Sequence, residues 1–296
     1  MSLIQINMSS SKNLIYTCCF HQEAYTDVVV NLIESFAQSG SSSDFLVYTT
    51  TEYKEVIQKK CSLATSANIL FFEKNFYKTM NQARISKLDI FDFPFADKYD
   101  KFLYLDADSI LLKNPDSIFD KIVADIVYTV GEGTIFNEGE YWGRSLFLKD
   151  DAQWSDREGL GAYALGFKNI PAVKKIFIKT KQSFYLDMYQ NKLRFYDQPF
   201  LNFYLIKNDM CDTNVLKPFI RSRPSAASAV SEGTTVVHFA GCPGHSDIKL
   251  GLISAFKTDY EKIKPQGSAR VHALRQELES LRQRVSEIEN ELATLI

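Results

Sequence analysis

The feature that most constrains the fold is an alternation of short apolar runs with longer helix-type patterns. The apolar runs are hydrophobic on both faces, as strands are when helices cover a sheet on each side. They lie at 14–17, 45–49, 69–72, 102–105, 126–130, 162–167 and 235–239. Helix-type patterns lie near 25–38, 52–61, 77–91 and 171–187. This alternation predicts an α/β fold with a doubly wound, mostly parallel sheet.

The composition is that of a globular protein with a sizeable core. The 296 residues are 45% hydrophobic and 24% charged, with a net charge of −2, so charge gives no basis for a nucleic-acid or membrane-surface partner. No apolar run approaches the roughly 20 residues that span a bilayer, and the N-terminal residues do not resemble a signal peptide. The five cysteines show no CxxC spacing, which argues against a disulfide framework or a zinc site. We therefore expect a cytoplasmic protein.

Two carboxylates follow the apolar run that ends at residue 105. Asp106 and Asp108 are two residues apart, and such residues at a strand end project to the same side. Carboxylate oxygens suit Mg²⁺ or Mn²⁺, and ligands of open parallel sheets bind beyond the carboxyl ends of strands. Taken alone, two acids near a turn are more often capping or solvated groups. Asn114, Pro115 and Asp116 predict the start of a short helix, which places 106–108 between a strand and a helix.

A histidine leaves the last predicted strand. His238 precedes a loop that contains Gly241 and Gly244. An imidazole in this position can complete a metal site, and glycines let backbone N–H groups approach an anion closely. The alternative is a hydrogen-bonded histidine at a strand edge.

A third polar group lies at the start of a predicted helix. Asp197 before Pro199 is suited to capping the helix, whose buried stripe consists of Phe200, Leu201 and Tyr204. This packing interpretation gives no reason for Gln198 or for Asn202 on the same turn.

These segments together carry a resemblance to a known family. "YDKFLYLDADSILLKNPD", "YDQPFLN" and "HFAG" occur in the order and approximate spacing of the retaining family 8 glycosyltransferases, the glycogenin-like and bacterial lipopolysaccharide galactosyltransferase type. "IYTCCFHQEAYTDVVVNLIESF" is similar to that family's first strand, nucleotide loop and helix. The resemblance covers about residues 14–262. It implies a GT-A type, Rossmann-like fold and metal-dependent transfer of a hexose from a nucleotide diphosphate sugar, a UDP-sugar, to a hydroxyl acceptor with retention of configuration.

The resemblance also implies a metal site and a base site. Asp106 and Asp108 match the metal-binding DxD motif, and His238 matches the histidine that completes the coordination of Mn²⁺ or Mg²⁺. Tyr25 matches the aromatic residue that stacks on the uracil base. A half-buried tyrosine at a helix start is the alternative for Tyr25.

Further matches concern the donor phosphates and the donor sugar. Arg84 and Lys87, three apart and so on one face of the predicted helix, match the basic residues before the DxD strand. Arg84 is the preferred donor contact, and a solvated helix face is the alternative for Lys87. Asp197 and Gln198 match the pair that lines the donor sugar near its anomeric carbon, where they would act in catalysis.

The sequence departs from the family pattern in two places. "GLGAYALGF" at 159–167 replaces the usual Asn-Ser/Ala-Gly triplet, so the sugar is not implied. A Lys-Pro-Trp is expected six residues after His238, but position 244 is glycine. Lys249 or His245 would replace that lysine at the diphosphate, beside Gly241. "HFAGCPG" is also similar to the "HFxGC" motif of a neighbouring retaining family, the fungal and plant mannosyl-, galactosyl- and xylosyltransferases.

The two tryptophans lie in a segment that is rich in glycine and acids. Trp142 and Trp154 fall within residues 131–161. Aromatic faces beside carboxylates are suited to an acceptor-binding rim, because they stack on the C–H groups of sugars. Tryptophans that are buried for packing are the alternative.

The last residues carry an unbroken 4-3 apolar repeat. Its two heptad positions hold Val271, Leu278, Val285 and Leu292, and Leu274, Leu281, Ile288 and Leu295. The facing charges of Glu277 with Arg282 and of Arg284 with Glu289 are opposite, which favours parallel strands. "RVSEIE" resembles a motif of three-stranded coils, so a trimer competes with a dimer. A single amphipathic helix packed on the domain is the alternative.

The predicted organisation has four parts. These are an N-terminal extension (1–13), a GT-A domain (14–263), a linker (264–270) and a coiled-coil helix (271–296). Gly267-Ser268 resembles a cloning junction, so the sequence is compatible with either a native or an engineered coiled coil. Two other functions remain open at this point: a non-catalytic nucleotide- or carbohydrate-binding protein, and a sugar nucleotidylyltransferase. The latter is disfavoured because the first loop is neither glycine-rich nor basic.

Overall fold

The computed structural model describes residues 13–136, 140–147, 154, 156–190, 196–224, 226–240 and 246–263, together with 277, 280, 281, 284 and 285. The predicted extension up to residue 12, the linker 264–270 and most of the coiled coil lie outside the described residues. Gly241, Gly244 and His245 lie outside them as well.

The described strands form two sheets. In chain order they are β1 (Asn13–Cys19), β2 (Asp44–Thr49), β3 (Ile69–Glu73), β4 (Lys101–Leu105), β5 (Ser109–Leu111), β6 (Val127–Thr134), β7 (Glu158–Lys168), β8 (Cys211–Asp212), β9 (Ile220–Ser222) and β10 (Val236–His238). The larger sheet has the order β3-β2-β1-β4-β7-β6-β8 and the smaller one β5-β10-β9. In the larger sheet, only β7 runs antiparallel to its neighbours β4 and β6 among the described strands. The predicted α/β fold with a mostly parallel sheet is therefore confirmed.

Alternating side chains of the central strands pack into two different cores. On β4, Phe102 and Tyr104 belong to one apolar cluster, whereas Leu103 and Leu105 belong to another. Since successive strand residues point to opposite faces, both faces of the sheet are covered. This explains why the strands appear in the sequence as uninterrupted apolar runs.

The helices agree with the four predicted helical patterns and add others. They are α1 (Tyr25–Ser39), α2 (Thr51–Lys60), α3 (Met80–Ile85), α4 (Asp116–Phe119), α5 (Arg144–Phe147), α6 (Pro171–Tyr189), α7 (Asp197–Lys207) and α8 (Ser246–Ile263). The pattern at 77–91 is divided between α3, which starts after a capping box of Thr79 and Gln82, and the 3₁₀ turns of Ser86–Asp92. No described helix is long and apolar enough to cross a membrane.

The segment after β4 differs from its prediction. Residues 106–108 connect β4 to β5, a strand of the smaller sheet, so the prediction that they lead into a helix is wrong. The three residues of β5 are too few to produce a recognisable period. Helix α4 follows β5 with Pro115 as its N-cap residue, and the Asn114 side chain just before it accepts a hydrogen bond from the Asp116 backbone N–H at 2.8 Å.

Candidate active site

A cavity of about 600 Å³ lies at the carboxyl ends of β1 and β4. Its wall includes every described residue that was predicted for the metal, the donor or catalysis: Tyr25, Arg84, Lys87, Asp106, Asp108, Asp197, Gln198, His238 and Lys249. These residues come from five helical segments, from β10 of the smaller sheet and from the connection between β4 and β5, so only the folded chain brings them together.

Asp106, Asp108 and His238 form one cluster of potential metal ligands. One ligand atom from each lies within 4.8 Å of the others. The His238 Nε2 atom is 3.6 Å from Asp106 Oδ2 and 3.2 Å from Asp108 Oδ1. Strand pairing sets this geometry, because β10 runs beside β5 and places His238 opposite Ser109, next to Asp108. Two carboxylates and an imidazole are suited to a divalent cation such as Mn²⁺ or Mg²⁺.

The His238 ring is held by two residues that the sequence analysis did not identify. The Tyr163 ring stacks on it with a centroid distance of 4.3 Å and an interplanar angle of 14°. The Ser222 Oγ atom lies 3.2 Å from Nδ1 of His238. With a cation bound, an Nδ1–H that donates to Ser222 would leave the Nε2 lone pair for the ion.

Asp108 is a buried carboxylate with two cationic or polar partners. Burial raises the pKa of Asp108. His238 and the Lys249 ammonium lower this pKa by more than burial raises it, so it lies well below its usual range. Lys249 Nζ donates a hydrogen bond to Asp108 Oδ2. The Asp108 side chain is therefore ionised at neutral pH, as a metal ligand must be.

A second charged cluster lies beside the first. The Lys87 Nζ atom is 2.9 Å from Asp197 Oδ2 and 3.7 Å from Asp106 Oδ1, and it donates to the Ala162 carbonyl at 2.9 Å. Burial lowers the pKa of Lys87, but Asp197 and Asp106 outweigh burial and raise it above its ordinary value. Lys87 is only 6% exposed, so the alternative of a solvated helix face is wrong for this residue.

Gln198 and Asn202, which helix packing left unexplained, both bind backbone groups. Gln198 Oε1 accepts from the Ala162 N–H at 3.2 Å, and its Nε2 donates to the Tyr141 carbonyl at 3.2 Å. Asn202 accepts from the Leu160 N–H at 2.7 Å and donates to the Leu160 carbonyl at 3.0 Å. These contacts fix the start of α7 against β7, and thereby fix Asp197.

Two aromatic rings at the cavity wall lie beside cations. The Arg84 guanidinium is 3.8 Å from the ring centroid of Tyr196. The Lys249 ammonium is 5.5 Å from the ring centroid of Tyr25, which is half-buried. Cation–π attraction at such distances orients Arg84 at the rim of the cavity.

Neither tryptophan lines the cavity that the described residues form. Trp142 packs on β6 and β7, where a Cβ atom at Gly159 would lie only 2.4 Å from its Cγ. Trp154 packs against the apolar cluster that contains Phe102 and Tyr104 of β4. These contacts favour the alternative of tryptophans that pack against the domain, and the described wall of the cavity includes Tyr141, which is 72% exposed.

Two further charged residues, Glu132 and Arg223, line the cavity and were not identified in the sequence. Glu132 of β6 is partly buried, which raises its pKa, whereas Arg223 and His238 act in the opposite direction. Arg223 has a φ of 51°, in the left-handed region that is uncommon for residues other than glycine. Nothing in the local sequence marks either residue, because the strands that place them are irregular or very short.

No protein-family model and no curated protein matches the sequence. Solved structures do match. The galactosyltransferase LgtC, in complex with donor and acceptor sugar analogues, is 14% identical with a TM-score of 0.55, over 82% of this chain and 96% of that one. The apo WbbM bifunctional glycosyltransferase is 13% identical with a TM-score of 0.52, over 86% of this chain, which spans about half (51%) of WbbM. The chain therefore has the GT-A type fold of these glycosyltransferases, as the resemblance implied.

Proposed function

We propose that this protein is a glycosyltransferase that moves a hexose from a UDP-sugar to a hydroxyl acceptor, with a divalent cation and with retention of configuration. One observation carries the proposal: the Asp106, Asp108 and His238 cluster and the Lys87–Asp197 pair lie on one cavity of about 600 Å³. The fold shared with LgtC, whose structure contains donor and acceptor sugar analogues, supports it.

The proposed metal site consists of Asp106, Asp108 and His238. Its oxygen and imidazole donors lie close enough to share one ion and suit Mn²⁺ or Mg²⁺. A cation bound there would neutralise negative charge on the departing diphosphate, which is the dominant electrostatic contribution in such a transfer.

The remaining donor contacts are proposed for residues around this site. Tyr25 stacks on the uracil ring, and Arg84, already oriented by Tyr196, binds a phosphate oxygen. Lys249 takes the place of the family's diphosphate-binding lysine, and Gly241, which lies outside the described residues, is proposed as a further contact of the diphosphate. Each of these groups supplies a hydrogen-bond donor or an apolar face that a nucleoside diphosphate requires.

Asp197 and Gln198 are proposed to act at the anomeric carbon. The buried Asp197 carboxylate forms an ion pair of 2.9 Å with the Lys87 ammonium, and it is placed to stabilise positive charge that develops on the sugar. The Gln198 amide is held in place by Ala162 and Tyr141, which keeps it rigid beside that carbon. The bond from the anomeric carbon to the diphosphate breaks, and the acceptor oxygen bonds from the same face while its proton passes to the leaving group.

The proposed partners are the nucleotide sugar, a glycan, protein or small-molecule acceptor, and other copies of this chain. Glu132 and Tyr141 give the acceptor side of the cavity a carboxylate and an aromatic face. Residues 271–296 are proposed to form a parallel dimer or trimer. Of that repeat the structure describes Leu281 and Val285, which are helical and 52% and 53% exposed.

A donor-hydrolysis panel tests the function. The protein is incubated with Mn²⁺ and a set of nucleotide sugars, and the products are identified. Release of nucleoside diphosphate indicates a transferase, pyrophosphate exchange indicates a nucleotidylyltransferase, and the absence of both indicates a binding protein.

Asp108→Asn is the decisive variant in that panel. We expect a loss of at least about 100-fold in metal-dependent release, because one anionic metal ligand disappears. Asp120→Asn, at an exposed acid on the surface, should keep full activity. Circular dichroism establishes that both variants fold. Unchanged turnover of a folded Asp108→Asn variant would contradict the assignment of the metal site.

A further inference from the structure

The two oxygens of the Asp108 carboxylate are bound by different partners. Oδ1 is 3.2 Å from Nε2 of His238, and Oδ2 accepts a hydrogen bond from the Lys249 ammonium. Both Asp108 and Lys249 are buried, at 5% and 8% exposure. Lys249 lies in the first turn of α8, and its side chain reaches from this turn to the cavity.

This contact affects the binding of any cation at the proposed metal site. A divalent cation on Asp108 has to share the carboxylate with an ammonium, and two positive charges repel strongly where water is excluded. If Lys249 leaves Asp108, its ammonium remains largely buried, with the Tyr25 ring centroid 5.5 Å away and Asp106 as a weaker electrostatic partner. A buried ammonium that loses its hydrogen-bonded carboxylate is costly, so the contact opposes the binding of a cation alone.

A nucleoside diphosphate changes this balance. Its phosphates bring negative charge into the cavity that Lys249 lines, and they give the ammonium a new anionic partner. The same phosphates attract the cation. Lys249 can then move from Asp108 to the diphosphate while the cation takes its place at the carboxylate.

We propose that Lys249 couples the two ligands by exchanging Asp108 for the diphosphate, so that cation and nucleoside diphosphate bind tightly only together. The inference rests on the proposed function, since it concerns the same metal and donor site. Coupling of this kind is reciprocal: the factor by which the diphosphate raises the affinity for the cation equals the factor in the opposite direction. The coupling can therefore be measured in the full-length protein as a change in affinity for either ligand, without an acceptor.

Lys249→Met tests the proposal in titrations with MnCl₂ followed by electron paramagnetic resonance, with and without UDP. We expect the variant to bind Mn²⁺ alone at least about tenfold more tightly than the unsubstituted protein, because the competing ammonium is absent. The gain in Mn²⁺ affinity on adding UDP should fall by at least about tenfold in the variant. Lys249→Arg, which retains the positive charge, should keep the weak binding of Mn²⁺ alone.

Lys257→Met is the matched control on the same helix. The Lys257 ammonium donates to Asn31 Oδ1 at 2.6 Å and lies 3.8 Å from a Glu34 oxygen, outside the cavity. We expect this variant to leave both Mn²⁺ affinities unchanged. Thermal unfolding establishes that the variants fold, and Mn²⁺ should raise the Tm of Lys249→Met more than that of the unsubstituted protein.

Two results would overturn the inference in distinguishable ways. Equal Mn²⁺ affinities for the unsubstituted protein and a folded Lys249→Met variant, with the same gain from UDP, would overturn the coupling and leave the metal site intact. Failure of every variant to bind Mn²⁺, with or without UDP, would overturn the metal site and the coupling together.

Discussion

The buried ammonium of Lys87 shows how a single residue can hold a site together. It lies 2.9 Å from one carboxylate oxygen of Asp197 and 3.7 Å from one of Asp106, so a single cation joins the start of α7 to the end of β4. Tyr104 adds a hydrogen bond of 2.5 Å to Asp106. Without the ammonium, two carboxylates would face each other at low dielectric.

Lys87→Met is predicted to lower the free energy of unfolding by about 3 kcal/mol, because it leaves Asp197 buried without its cation. The pKa of Lys87 is raised in the folded protein, so its contribution persists at all pH values below the ordinary lysine pKa and is lost only as the pH rises through the folded value. The deficit should therefore be the same at neutral and mildly alkaline pH. Urea titrations measure it.

Lys168→Met provides the comparison in those titrations. Lys168 and Asp125 form an ion pair of 3.0 Å, but their side chains are 30% and 70% exposed. Such a surface pair should contribute less than about 1 kcal/mol. Similar losses in the two variants would show that Lys87 stabilises no more than a surface lysine does.

Which site residues could be predicted depends on how far their partners lie along the chain. Asp106, Asp108 and His238 follow apolar runs, and a strand end followed by a metal-ligating side chain is visible locally. The burial of Lys87 was not predictable, because its partner Asp197 is remote in sequence. Gln198 and Asn202 stayed unexplained because their partners are backbone groups of β7, which no residue pattern reveals.

At the scale of elements, one side chain fixes the turn between α1 and β2. Asp116, in the first turn of α4, accepts hydrogen bonds from the Ser42 backbone N–H at 2.8 Å, the Ser42 hydroxyl at 2.9 Å and the Ser43 hydroxyl at 3.0 Å, and also from Ser41. Burial raises the pKa of Asp116, but these hydrogen bonds outweigh it and lower the pKa below its ordinary value. The charged form of Asp116 is therefore the one that stabilises the fold.

Asp116→Asn is predicted to reduce the free energy of unfolding by about 1–2 kcal/mol at pH 7. Because the folded-state pKa is lowered, the contribution is present above the unfolded value of about 3.9 and is lost as the pH falls through the folded value. The difference between the variant and the unsubstituted protein should thus shrink below pH ~4. Urea titrations over a series of pH values measure it. Asp120→Asn, at an exposed acid, should show no such pH-dependent difference.

Elements were predictable where they are long enough to show a period. All seven predicted strands and all four predicted helical patterns occur, and each of those strands has consecutive residues in a core. The short strands β5 and β9 were missed, although β5 and β10 place His238 beside Asp108 and β9 supplies Ser222. With three residues each, these strands are specified by their tertiary pairing and not by a local pattern.

At the scale of the whole molecule, this chain shares its fold with LgtC although the two sequences have few identical residues. Identity to LgtC is 14%, yet 82% of this chain is covered at a TM-score of 0.55. A sheet with two covered faces requires apolar residues at many positions, but it fixes the identity of the residue at few of them. The recognisable motifs are therefore confined to the ends of strands and the start of α7, where side chains meet the cavity.

The last prediction concerns assembly. Leu281 is helical and 52% exposed in one copy of the chain, and it occupies an apolar position of the predicted heptad repeat. If 271–296 form a coiled coil, Leu281→Glu should dissociate it, because each strand loses about 2 kcal/mol of apolar burial and gains a charge at the seam. Analytical ultracentrifugation should show a dimer or trimer for the unsubstituted chain and a monomer for the variant.

Gln283→Glu adds the same charge two positions away, on the outer side of the predicted repeat, and should leave the assembly intact. Metal-dependent donor hydrolysis per chain should be equal in all three proteins, because Lys249 is the last described residue along the chain that lines the cavity. An assembly that survives Leu281→Glu would mean that the copies associate elsewhere. A monomeric unsubstituted chain would instead favour the single amphipathic helix, whose apolar stripe must then pack on its own domain.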